Sequence, residues 1–188
     1  IEQTISHSDV IFVAVGSPSL SDGRADMSQI ISVAEKLRDL IDHHTIVVVK
    51  STVPVGAIEI IQDILSEKLI IKEDFDVVSN PEFLREGTGL VDFYNPSRII
   101  IGSNTDFARN ALKEIYQPLI QRDYKVSNPF SIKNQIIEIL LTDPVSAQMI
   151  KYASNAFLAT RISYINEIAG ISEKVGGNIS DIIYGIGL

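Results

Sequence analysis

Glu82 and Glu86 stand four residues apart in the run Ser79-Asn80-Pro81-Glu82-Phe83-Leu84-Arg85-Glu86-Gly87. If Asn80 caps a helical turn and Pro81 fills its first position, both carboxylates share one face of that turn. Like charges at that spacing cost a bare helix about 0.2–0.5 kcal/mol. Acid–base work or ligand binding would account for the pair, and so would a solvated acidic turn complementing the helix dipole. Lys151 and Asn155 repeat the four-residue spacing further on, where an ammonium and an amide can converge on one ligand oxygen. A solvated lysine beside an ordinary helical asparagine is the alternative.

The elements that must position these groups are legible from hydrophobic periodicity. Val10-Ile11-Phe12-Val13-Ala14-Val15 is a continuous apolar run of the kind found in a strand buried on both faces, and Gly16-Ser17-Pro18 breaks it. Apolar residues then recur at helical spacing from Ile30 to Ile41. Thr45 to Val49 is a second strand with Lys50-Ser51-Thr52 at its carboxyl end, and Pro54 and Gly56 open a helix from Ala57 to Leu69. Phe75 to Val78 is a third strand, leading into the acidic run. Alternating strands and helices predict a Rossmann-like α/β fold with a parallel sheet, whose ligands sit beyond the strands' carboxyl ends. Ser17, Thr52 and Glu82 are expected along that edge.

Val91 to Ser97 reads as a loop, Arg98 to Gly102 as a strand, and Thr105 to Ile120 as a helix with Thr105 as its cap. Between Gln121 and Leu141 the pattern allows a strand at Tyr124-Lys125-Val126, a turn at Ser127-Asn128-Pro129, and either a strand or a helix from Ile136 to Leu141. Asp143 and Pro144 start a helix of about 30 residues reaching Val175, long enough to bridge domains or to meet a partner subunit. Gly176-Gly177-Asn178 stops it, and a short helix begins at Ser180. The expected division is a nucleotide-binding domain over 1–142, followed over 143–188 by the long helix and the start of an all-α dimerisation domain.

Composition narrows the function classes. The 188 residues are 45% hydrophobic and 21% charged, enough apolar material for a sizeable core. A net charge of −8 and a pI near 4.8 argue against a nucleic-acid surface. With no cysteine the chain offers no disulfide, thiolate nucleophile or cysteine metal site. Asp22 and Asp26 flank Gly23 without the ligand spacing of a calcium loop, so no metal is expected. His43 and His44 are read as surface residues. No segment has the length of a membrane span, and the start at Ile1 has no basic region leading an apolar stretch. The chain is therefore expected to be cytoplasmic and to have been cut from something longer.

The eight residues from Asn80 to Gly87 resemble the Asn-Pro-Glu-Phe-Leu-Arg-Glu-Gly signature of the UDP-glucose/GDP-mannose dehydrogenase family. Lys50-Ser51-Thr52-Val53-Pro54-Val55-Gly56 is similar to its Lys-Ser-Thr-Val-Pro-x-Gly, and Pro96-Ser97-Arg98-Ile99 to its Pro-x-Arg-Ile strand. Ala14-Val15-Gly16-Ser17-Pro18 resembles Ala-Val-x-Thr-Pro, with Ser17 keeping the hydroxyl of the commoner Thr, and Lys151 to Glu167 resembles the family's central helix. The segment from Gln121 to Leu141 departs from the pattern.

This resemblance implies oxidation of a nucleotide-sugar C6 alcohol to the carboxylate, with two NAD reduced and a thioester formed on a cysteine. UDP-glucose is the expected substrate, towards which Arg98 leans. GDP-mannose, UDP-N-acetylmannosamine and a non-catalytic nucleotide-sugar-binding module are the alternatives. By the resemblance Thr52 positions a water for proton removal, Glu86 lies against the nicotinamide, and Lys151 and Asn155 stabilise the oxyanion. Glu82 binds near C6 and assists thioester hydrolysis, while Phe83, Leu84 and Arg85 hold the sugar nucleotide. Val15, Ser17, Ser51 and Thr52 line the cofactor, and a homodimer is expected through the long helix. The family's Gly-x-Gly-x-x-Gly turn would precede Ile1 and its cysteine would follow Leu188, so this chain alone is expected to be inactive.

Overall fold

The computed structural model describes residues 2–122 and 136–187; the strand and turn expected over 124–129 lie outside the described residues. Five strands form one sheet in chain order: β1 (Val10–Val13), β2 (Thr45–Val49), β3 (Phe75–Ser79), β4 (Arg98–Gly102) and β5 (Glu138–Thr142). The helices are α1 (Glu2–Ile5), α2 (Ser28–Leu40), α3 (Ala57–Ser66), α4 (Gly89–Tyr94), α5 (Asp106–Gln121), α6 (Pro144–Val175) and α7 (Ile179–Ile186). Two compact units, Ile1–Lys151 and Tyr152–Leu188, meet within α6.

In the first unit the unbroken apolar strands are explained by helices on both faces of the sheet. Neighbouring strand residues point to opposite faces. Val47, Val49 and Val77 pack with Ile30, Ala34 and Leu37 of α2 and Ile58, Ile61 and Leu65 of α3. Ile46, Val48 and Val78 pack with Ala108, Leu112, Tyr116 and Leu119 of α5. Each fully buried side chain of this size stabilises the fold by about 1.5–3 kcal/mol. The expectation of burial on both faces fails for β1, where Phe12 is 43% exposed. That strand is at the sheet's edge, where Val13 is buried in the core against α2 and α3 and Ile11 packs partly buried against it.

The sheet also departs from the expected all-parallel pattern. β1, β2 and β3 run parallel, but β4 meets β3 antiparallel through Ser79 and Gly102, and β5 is parallel to β4. A parallel return needs a long crossover, usually a helix, back to the sheet's amino edge. After β3 the chain instead stays at the carboxyl edge through a loop and the six-residue α4 and turns back, so β4 starts beyond the end of β3 and its last residue, Gly102, pairs with the last of β3, Ser79. Arg98, first residue of β4, therefore stands at the same edge as the end of β3.

Smaller corrections concern α4 within an expected loop and α3 ending at Ser66 where the helix was expected to reach Leu69. The two-way reading of 136–141 resolves as β5, which pairs with β4 along its whole length. Thr105 caps α5 by accepting from the Ala108 N–H. Asp143 caps α6 by accepting from the Ser146 N–H at 2.8 Å, and α6 runs its 32 residues to Val175. Gly102 is required by close approach: a Cβ there would lie 2.5 Å from the Ala147 Cβ and 2.7 Å from the Asp143 carbonyl oxygen.

Candidate functional site

The acidic run is not helical. Asn80 precedes a proline, which disfavours the helical conformation, and its N–H donates to the Val49 carbonyl at 2.9 Å as a continuation of the sheet. Its fully buried side chain is committed to the core. Oδ1 accepts from Lys50 Nζ at 3.2 Å and from the Tyr116 hydroxyl, while Nδ2 donates to the Ile100 carbonyl at 2.6 Å. Asn80 is thus an anchor and not a cap. Residues 81–85 follow without regular structure and turn at Glu86-Gly87, where Gly87 has φ of 80°. Glu82 and Glu86 consequently share no helical face.

The anchored loop delivers Glu82 to Lys151. Glu82 Oε1 accepts from Lys151 Nζ at 2.9 Å, and Oε2 accepts from the Leu84 N–H. Lys151 is buried on the second turn of α6, and Glu82 is partly buried. Burial alone would raise the Glu82 carboxyl. The Lys151 hydrogen bond, the Leu84 N–H and the charges of Lys151 and Lys50 outweigh it and hold the carboxyl below its ordinary value. Phe83 lies under two cations, 4.0 Å from the Arg98 guanidinium and 5.3 Å from Lys151 Nζ. Lys50, Glu82, Phe83, Leu84, Arg98 and Tyr116 line a cleft with about 40 Å³ of free volume, room for one or two waters or the reacting end of a ligand.

Asp92 on α4 ties the rest of the loop. It accepts from the Arg85 N–H, from the Arg85 guanidinium through both carboxylate oxygens and from the Thr88 hydroxyl. The Arg85 hydrogen bonds push the Asp92 carboxyl well below the usual carboxylate range. Arg85, expected to touch substrate, is engaged with Asp92, and Glu86 is exposed on the turn beside it. Asn155 is exposed one turn beyond Lys151 on α6, in the second unit.

At the ends of β1 and β2 a second group of expected residues comes together. Ser51 Oγ accepts from the Val15 N–H at 2.8 Å and donates to the Val15 carbonyl at 2.7 Å, and the Ser17 hydroxyl donates to the Thr52 carbonyl. These bonds bring the loops after the two strands together. Among the described residues the Thr52 hydroxyl is left without a hydrogen-bond partner, so it can take a ligand or a water. The open Thr52 hydroxyl at these two strand ends is a polar group of the kind a nucleotide cofactor can bond.

Sequence reading missed Lys50, Asn80, Tyr116 and Asp92 as parts of the site. Lys50 had a visible signal, being the first polar residue after a strand buried along its whole length. Tyr116 had none, since it is an ordinary core position of α5. His44 also departs from the surface expectation: its Nε2 lies 3.2 Å from Oδ2 of buried Asp76, which accepts from the Thr105 hydroxyl at 2.8 Å. No cluster of three metal-ligating side chains occurs among the described residues.

Residues 1–120 match the model of the NAD binding domain of the UDP-glucose/GDP-mannose dehydrogenase family, and residues 145–188 match its central domain. A UDP-glucose 6-dehydrogenase of Bacillus subtilis is 43% identical over 186 residues, a match covering 99% of this chain and 39% of that protein. Among solved structures, a UDP-glucose dehydrogenase of Pyrobaculum islandicum superposes with a TM-score of 0.84 at 34% identity, covering 100% of this chain and 40% of the other. A GDP-mannose dehydrogenase of Pseudomonas aeruginosa superposes with a TM-score of 0.81 at 30% identity, covering 98% and 40%. The chain thus spans about two fifths of the length of the relatives it matches.

Proposed function

The chain belongs to the UDP-glucose/GDP-mannose dehydrogenase family, and from that membership we propose that it carries the sugar-oxidising edge of an NAD-dependent UDP-glucose 6-dehydrogenase. The observation that supports this reading best is the Lys151–Glu82 pair. Residues 69 apart in sequence meet at 2.9 Å beyond the end of β3, and Glu82 lines the cleft proposed to take the C6 group.

The C6 alcohol becomes a carboxylate by two losses of a proton and a hydride, with water supplying the second oxygen. Bound NAD supplies the acceptor for each hydride. Thr52, with its open hydroxyl, holds the water that takes up the first proton. Lys151 is preformed as a donor towards the C6 oxygen, and Asn155 is the second donor. Preorganised donors of this kind are worth about 10²–10³ in kcat. Glu82 accepts from Lys151 and so fixes where that ammonium points. Being ionised, it serves as the base that activates water for the later hydrolysis. Phe83 and Leu84 hold the sugar, Arg85 with Asp92 keeps their loop in place, and Glu86 faces the nicotinamide. Val15, Ser17 and Ser51 shape the cofactor wall. The chain has no cysteine, so its residues do not include a thioester nucleophile.

A homodimer through α6 is part of the proposal. α6 carries apolar residues all round, as buried helices do. Yet Phe157, Leu158, Ile162 and Val175 are more than half exposed. The nucleotide-binding part over 1–142 and the helical part from 143 are proposed as its two functional domains. No helix among the described residues is long and apolar enough to cross a membrane, and a cytoplasmic enzyme is the proposed setting.

The test is NADH formation from UDP-glucose by the protein expressed from its complete reading frame. Two NADH per UDP-glucose are expected, and Lys151→Met should lower kcat by about 10²–10³. Faster turnover of GDP-mannose or UDP-N-acetylmannosamine would replace the substrate. Binding of UDP-glucose with no turnover would leave a binding module.

A further inference from the structure

Lys50 has no role in the chemistry above, yet its ammonium is held inside the cleft. It is only partly exposed, donates to Asn80 Oδ1 at 3.2 Å, and lies 5.8 Å from the centre of the Tyr116 ring. The groups around it come from five elements. Glu82 lies on the loop after β3, Lys151 on α6, Tyr116 on α5, Arg98 on β4 and Asp92 on α4. Asp92 is bound by Arg85, and Arg98 lies over Phe83. Glu82 is in contact with Lys151 and reaches Lys50 only through space. Two ammoniums therefore share one carboxylate in a small cleft. We infer that Lys50 is a specificity-determining residue: beside Lys151 and Arg98, in a cleft where Glu82 is the carboxylate not bound by an arginine, its ammonium adds the positive charge that favours a ligand whose C6 group is a carboxylate over one whose C6 group is a neutral alcohol.

The inference rests on the proposed oxidation at C6, whose substrate and product differ in that one charge. Burial pushes the Lys50 ammonium down to about 8, although Glu82 opposes the shift and Lys151 adds to it. Below that pH Lys50 adds its charge to the cleft, and above it that one charge is gone. Product is thus held at lower pH and let go at higher pH, while the alcohol is affected little. The diphosphate is common to both ligands and cancels in the comparison.

The experiment is calorimetric titration of the full-length protein with UDP-glucuronate and with UDP-glucose, each at pH 7 and pH 9. In the wild type the preference for UDP-glucuronate should fall by about tenfold between the two pH values, the factor expected for one charge near a protein surface. Lys50→Arg, whose charge does not titrate in this range, should keep the pH 7 preference at both values, and Lys50→Met should show the pH 9 preference at both. A pH dependence that persists in both variants, or a flat wild type, overturns the inference and leaves the proposed function standing. Failure of the wild type to bind either ligand overturns the proposed function as well. A ligand-free readout is the acetylation rate of Lys50, followed by peptide mass: its midpoint should lie near pH 8 and fall in Glu82→Gln, and an unchanged midpoint in that variant overturns the charge-sharing on which the inference depends.

Discussion

At Lys50, folding and function oppose each other. The group is charged in the unfolded chain up to about pH 10.5 and in the folded chain only to about pH 8. Below pH 8 the native state holds a disfavoured buried ammonium. Between the two values the unfolded state binds more protons, so stability rises with pH. The gap is worth on the order of 3 kcal/mol at about 1.4 kcal/mol per pH unit. Lys50→Met should accordingly stabilise the chain by up to that amount below pH 8 in urea unfolding, with the advantage gone above pH 10.5. The Tyr116 hydroxyl remains as a partner for Asn80 Oδ1 in that variant. Glu82 has the opposite sign: its folded carboxyl is held below the ordinary 4.5, so its contribution is present above that pH and is lost as pH falls through the folded value. Glu82→Gln should lose less stability between pH 5 and pH 3 than the wild type does. An equal loss would mean that Lys151 does not stabilise the charged form.

At the scale of elements, the antiparallel entry of β4 and the packing of α6 on its end decide which side chains meet. Gly102 lets the first turn of α6 close on β4. Gly102→Ala would force the added methyl against the Asp143 carbonyl and the Ala147 methyl. A cost of about 1–3 kcal/mol is expected in thermal unfolding, with weakened turnover because Lys151 is carried on the second turn of α6. Thr105 joins two duties, capping α5 and donating to buried Asp76. Thr105→Ala should cost about 1–2 kcal/mol, and Thr105→Ser, which keeps the hydroxyl, should recover most of it.

For the whole molecule, the exposed apolar side chains of α6 make association the expected behaviour. Sedimentation of the 20.7 kDa chain should give about twice that mass, and Phe157→Glu with Leu158→Glu should return the monomer. A monomer in the unsubstituted chain would remove the dimer from the proposal.

What the sequence determined by itself was whatever depends on local spacing. The apolar runs specified β2 and β3, Thr105 and Asp143 marked the starts of α5 and α6, and the eight residues from Asn80 pointed to the family. Glu82 and Lys151 were found as candidates separately, each from its own stretch. Their pairing was not legible, because it depends on a loop held by Asn80 at one end and by Asp92 at the other, through partners up to 36 residues away. The helical turn expected at Pro81 failed for the same reason: Asn80 bonds more strongly as a buried extension of the sheet than it would as a solvated cap. Tertiary structure alone decided that Lys50 joins the site and that Arg98 lies over Phe83, since strand direction and burial of a charge are set by what packs alongside and not by the neighbours in the chain.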